Sequence, residues 1–101
     1  MAKALRVKNR HGGWHGWKIW CPACHSHHVF STEEPNEAGA RWWFNGDAER
    51  PTFRPSMLEW EAEGEGRRVC HSSVREGKIR FHADSTHGLA GQTVELPDVS
   101  S

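Results

Sequence analysis

At 101 residues the chain has room for one small domain, which buries roughly two thirds of its unfolded surface and therefore calls for a staple beyond hydrophobic packing. A mean hydropathy of -0.79 and the absence of any long apolar run exclude a bilayer-spanning helix. A formal net charge of zero lacks the overall basic excess of a nucleic-acid-binding domain.

The N-terminal stretch MAKALRVKNRHGG has no apolar core of the kind a secretory signal needs. Lys3, Arg6, Lys8, Arg10 and Lys18 all precede the first acidic residue, Glu33, so this segment is basic and reads first as a solvated face. A soluble, intracellular protein with reduced thiols is expected. Gly and Pro recur every few residues and no window holds a 3.6-residue apolar period, so the whole of 1–101 is predicted to be one mainly β domain, an antiparallel sheet stapled by a metal knuckle. GWKIW and the segment CPACHSHHVF read as two short strands about a tight turn, ARWWFNGD closes on the turn pair Asn45-Gly46, and Pro51 and Pro55 hold ERPTFRPS extended.

Farther on, SMLEWEA (56–62), RRVCHSSV (67–74) and KIRFHAD (78–84) are separated by EGEG and by Glu76-Gly77, which predicts a three-stranded meander. Counting from the turns sets Leu58 opposite His71, Trp60 opposite Val69 and Ser56 opposite Ser73. The second turn sets His71 opposite His82, Cys70 opposite Ala83 and Val69 opposite Asp84. Since side chains alternate across a strand, Cys70 then shares a face with Met57, Ser72, Ile79 and Phe81, while His71 looks the other way with Ser56, Leu58, Trp60, His82 and Asp84.

Two chemistries follow from that division. Cys21-Pro-Ala-Cys24 presents two thiolates to one tetrahedral ion, and with no βαβ pattern around it a zinc site is favoured over a redox pair. Cys70 is the third ligand expected, and a histidine the fourth. His27, three residues beyond Cys24, is preferred, with His87 and His25 as competitors. Four protein ligands make the Zn2+ structural. A rival catalytic zinc, bound by two cysteines, one histidine and water, would draw a general acid or base from Glu33 or Asp84. On the opposite face, Ser56, His71 and Asp84 supply a nucleophile, a base and a carboxylate to orient that base.

The stretches RWWFNGDAERPTFRPSM, VCHSSVREGKIRF and ADSTHGLAGQTVELPD resemble a family of small phage and bacterial proteins often mislabelled as ammonia monooxygenase. That family is similar to the BubE-like serine peptidases of bacterial operons that conjugate ubiquitin-like proteins. The likeness to the peptidases rests on the cysteine knuckle, Pro55-Ser56, Cys70-His71, and Gly77 with Ile79. It implies a zinc-stapled fold with Ser56 as nucleophile and His71 as base, and leaves the third member open; Asp84 rests on the strand register. A serine hydrolase of the bacterial cytoplasm is then expected, cutting a peptide or isopeptide bond at the C-terminal tail of a ubiquitin-like protein, with Trp42, Trp43 and Trp60 as candidate groove walls. The alternative is a non-catalytic zinc-ribbon-like module that binds a phage or host protein through its basic segment.

Overall fold

The computed structural model describes residues 2–99. Strands β1 (Leu5–Lys8), β2 (Trp14–Cys21) and β3 (Ser26–Ser31) form one antiparallel sheet. A second, five-stranded antiparallel sheet holds β4 (Trp43–Phe44), β5 (Phe53–Glu63), β6 (Gly66–Arg75), β7 (Lys78–Phe81) and β8 (Thr93–Glu95) in sequence order. The mainly β, antiparallel architecture is the expected one, with its strands divided between two sheets. Among the described residues no helix is long and apolar enough to cross a membrane.

The two sheets meet over a shared core. Ile19 and Phe30 from the first sheet pack with Phe53, Met57, Val74, Ile79 and Phe81 from the second, and the Phe30 and Phe53 rings stack at 4.2 Å. Each of these residues occupies alternate positions of its strand, so the period of two fixes which side is buried. Gly16 allows the closest backbone approach: a Cβ there would stand 2.0 Å from the Phe30 carbonyl oxygen.

The central hairpin has the predicted register, with Leu58 opposite His71 and Trp60 opposite Val69. Its two-residue turn starts at Gly64, whose φ of 60° suits the first position of a type II′ turn. Three expected pairings do not form. A register irregularity between Phe53 and Met57 displaces Ser56 from a ladder position opposite Ser73. β7 ends at Phe81, and after His82 donates its N–H to the His71 carbonyl (2.8 Å) the chain turns away, so Cys70 never meets Ala83 and Val69 never meets Asp84. Side chains from that turn cap β6 instead: the Val69 N–H donates to Thr86 Oγ1 at 3.0 Å and the His71 N–H to Ser85 Oγ at 3.0 Å.

Candidate active site and metal centre

Adjacent residues of β6 serve opposite faces. His71 points outward and Cys70 inward, because successive side chains of a strand alternate.

On the outer face Ser56 Oγ–H donates to His71 Nε2 at 3.1 Å. His71 Nδ1–H donates to Asp84, 3.0 Å from Oδ1 and 3.1 Å from Oδ2. These contacts fix the tautomer, with the proton on Nδ1 and the Nε2 lone pair toward serine. Ser85 holds the His71 backbone from behind: its Oγ, besides accepting from the His71 N–H, donates to the His71 carbonyl at 3.1 Å. The side chain of His71 is 26% exposed and that of Asp84 62%, so the arrangement is open to solvent.

His82 stacks on His71, with ring centroids 4.1 Å apart and planes 18° from parallel, and its Nε2 lies 2.8 Å from Ser73 Oγ. Burial, then the neighbouring His71 and Arg80, hold His82 below the ordinary histidine value. Sequence reasoning placed His82 on this face but missed the stack, which depends on ring orientation.

A second Ser–His–carboxylate chain lies in the other sheet, where Ser31 Oγ is 2.8 Å from His15 Nε2 and His15 Nδ1 is 2.8 Å from Glu34. Ser31 is 1% exposed, which leaves its hydroxyl out of reach of any substrate. Accessibility separates the two chains; hydrogen-bond geometry does not. Here the contacts tie β2 and β3 to the following loop.

On the inner face the ligand atoms of Cys21, Cys24, His28 and Cys70 lie within 4.8 Å of one another. Cys21 Sγ is 4.0 Å from Cys70 Sγ, and Cys70 Sγ is 3.7 Å from His28 Nε2. Tetrahedral coordination at a metal–sulfur distance of about 2.3 Å separates two sulfurs by about 3.8 Å, so the donors stand near ligating positions. This set can hold a metal ion.

The fourth donor corrects the sequence expectation. His28, not His27, joins the three cysteines, because β3 places His28 and Phe30 on the buried side and turns His27 outward, edge-on to the Trp20 ring at 5.1 Å. Counting three residues from the knuckle mistook spacing for direction; the parity with Phe30 was the available signal. Neither His25 nor His87 belongs to the cluster. His87 lines the cavity beside it, its Nδ1 accepting from the Leu89 N–H at 3.2 Å.

His28 Nδ1 lies 3.2 Å from Glu59 Oε1, an ion-pair contact outside hydrogen-bond alignment, which leaves Nε2 free to ligate. The hydrogen bond from the Cys70 thiol holds Cys21 down, to about 3, while the same contact, with burial, pushes Cys70 up. Burial opposes charge on His28, yet its contacts with Cys21 and Glu59 outweigh that and raise it to about 9. Cys21 alone of the three thiols is shifted toward thiolate, since burial also pushes Cys24 up, to about 11.

Comparison with curated proteins and with solved structures gave no match. The model of one family, described as the serine protease BubE of a bacterial ubiquitination-like system, matches residues 2–82. That stretch includes the cysteines of the cluster, His28, Ser56 and His71, and stops short of Asp84. Most of its length being so matched, the chain belongs to the BubE family.

Proposed function

We propose that this domain is a serine peptidase that hydrolyses a peptide or isopeptide bond at the C-terminal tail of a ubiquitin-like protein in the bacterial cytoplasm. The observation that carries the reading is the solvent-accessible chain of contacts from Ser56 Oγ through His71 to Asp84, with nucleophile and base inside the family-matched segment. Ser56 Oγ attacks the scissile carbonyl as His71 Nε2 takes its proton, and Asp84 holds the Nδ1 proton and balances the imidazolium. His71 then passes the proton to the leaving amine. Water, activated by the same nitrogen, cleaves the acyl-serine ester and restores the hydroxyl.

We assign zinc to the Cys21, Cys24, His28 and Cys70 donors, three thiolates and one imidazole being a characteristic structural zinc set. Bound there, the ion supplies a cross-link and no reaction step, since four protein ligands leave no place for water or substrate. This favours the serine route over zinc-dependent hydrolysis. Elemental analysis should give about one zinc per chain.

Ser56→Ala and His71→Ala should each lower cleavage of a ubiquitin-like fusion at least about a thousandfold with unchanged zinc content and melting temperature. A fluorophosphonate should label Ser56 in the wild-type protein. Retained cleavage in Ser56→Ala would discard the serine mechanism, and tight binding of the fusion without cleavage by the wild type would replace the peptidase with a binding module.

A further inference from the structure

The upper half of β5 is an open sheet edge that leads to the nucleophile. β4 pairs only with Phe53 and Arg54, so from Ser56 to Glu63 the strand has β6 on one side and, among the described residues, no strand on the other. The matching edge of β6 is closed. Thr86 bonds both backbone groups of Val69, donating its N–H to the carbonyl at 2.9 Å and accepting at Oγ1; His82 and Ser85 do the same for His71.

Those contacts also fix where the backbone of β5 points. Val69 and His71 turn their N–H and C=O away from β5, so their partners Trp60 and Leu58 occupy non-hydrogen-bonded positions and turn theirs away from β6. The two-residue turn at Gly64 gives the same alternation when counted from Glu63 opposite Gly66. Among the described residues, Leu58 and Trp60 therefore present unpaired donors and acceptors along one line. Their side chains are 56% and 58% exposed, on the face that carries Ser56. The charges that would blunt such an edge are directed elsewhere: Glu59 contacts His28, and Glu61 and Glu63 contact Arg68. The open stretch ends at Ser56, whose carbonyl accepts a 3.4 Å hydrogen bond from Trp42 Nε1 just before β4 begins.

We infer that an extended segment of the protein substrate adds to this edge as a further strand, pairing with the backbone of Leu58 and Trp60 and resting apolar side chains on theirs, so that its scissile carbonyl reaches Ser56. The inference rests on the reading of Ser56 as the nucleophile. It names the substrate class as an unfolded, strand-forming tail, selected by main-chain hydrogen bonds with side-chain preference at alternate positions. A folded surface loop, with its amides already paired, is excluded.

The test uses wild-type protein and a decapeptide from the tail of the ubiquitin-like fusion, made as a series with one amide N-methylated at a time. Alternate N-methyl groups should raise KM tenfold or more and the intervening ones less than twofold. Leu58→Pro removes the outward N–H without touching the β6 ladder, and should lower kcat/KM at least tenfold beyond Leu58→Ala, with zinc content reporting the fold. A KM that does not alternate along the peptide overturns the inference whether or not Leu58→Pro folds. So does a dimer that Leu58→Pro dissociates while peptide cleavage persists, which would give the edge to a second copy. Failure of a fluorophosphonate to label Ser56 is a separate result: it removes the nucleophile, and the substrate assignment with it.

Discussion

Replacing Cys70 should injure the protein in a way that replacing Cys24 does not. Cys21, Cys24 and His28 all belong to the first sheet or its turn, and Cys70 alone joins the cluster from the second. A metal held by all of them closes a loop between Cys21 and Cys70, which are 49 positions apart. The chain-entropy relation gives such a closure about 4 kcal/mol, a large share of the 5–15 kcal/mol that holds a typical domain together. Cys24→Ser keeps the cross-link through Cys21, His28 and Cys70, whereas Cys70→Ser leaves a metal bound within one sheet only. Under saturating zinc, urea unfolding should therefore place Cys70→Ser about 4 kcal/mol below Cys24→Ser, or about 15–30 °C lower in melting temperature. With a chelator the gap should shrink to the packing difference between the two sites. Equal losses for the two variants in saturating zinc, or a gap that survives chelation intact, would refute an ion that bridges the sheets.

Other outcomes follow from the same geometry. His28→Ala should abolish stoichiometric metal binding while His27→Ala leaves metal content unchanged, as read by elemental analysis of the purified variants. Asp84 is largely exposed, so its charge is screened, and Asp84→Asn should lower kcat/KM only about tenfold, far less than the loss of a buried triad carboxylate. Gly16→Ala drives a Cβ into the Phe30 carbonyl and should cost about 3 kcal/mol in urea unfolding. Hydrogen bonds from His15 and Asn9 hold the Glu34 carboxyl below its ordinary 4.5, so its contribution is present above that value and disappears as pH falls through the lower folded-state value. Glu34→Gln should accordingly flatten the acid limb of a stability–pH curve.

The sequence made the central hairpin legible because two features agreed there. The Gly64 turn fixed a register by counting, and the alternation of Val69, Cys70, His71 and Ser72 assigned faces to it. Elsewhere only one such feature is present. The knuckle fixed the distance to a histidine but not its direction, so His27 was preferred where β3 presents His28. Asp84 was expected in a strand and comes to His71 from a turn, because hydroxyl caps at Ser85 and Thr86 replace ladder bonds that a strand continuation would have made. The division into two sheets was hidden because β1 and β8 span only four and three residues, too short to show an alternation. Accessibility was illegible for a different reason: Ser31 and Ser56 make the same contact with histidine, and only the packed surroundings tell them apart.

The peptide bond between Cys70 and His71 joins two sites that respond alike to genetic change nearby. Point substitutions at Arg67 and Arg68, exposed near the hairpin tip, leave the direction of every later side chain intact. Deleting a single codon there, with the turn at Glu76-Gly77 kept as the anchor for the rest of the sheet, leaves those directions intact as well and changes the loop at Gly64 by one residue. Deletion between His71 and that turn inverts the strand, turning the imidazole into the core and the thiol toward water, and both sites vanish together. The spacing from residue 71 to residue 76 is thus the length that descent must preserve, whatever happens to the letters that fill it.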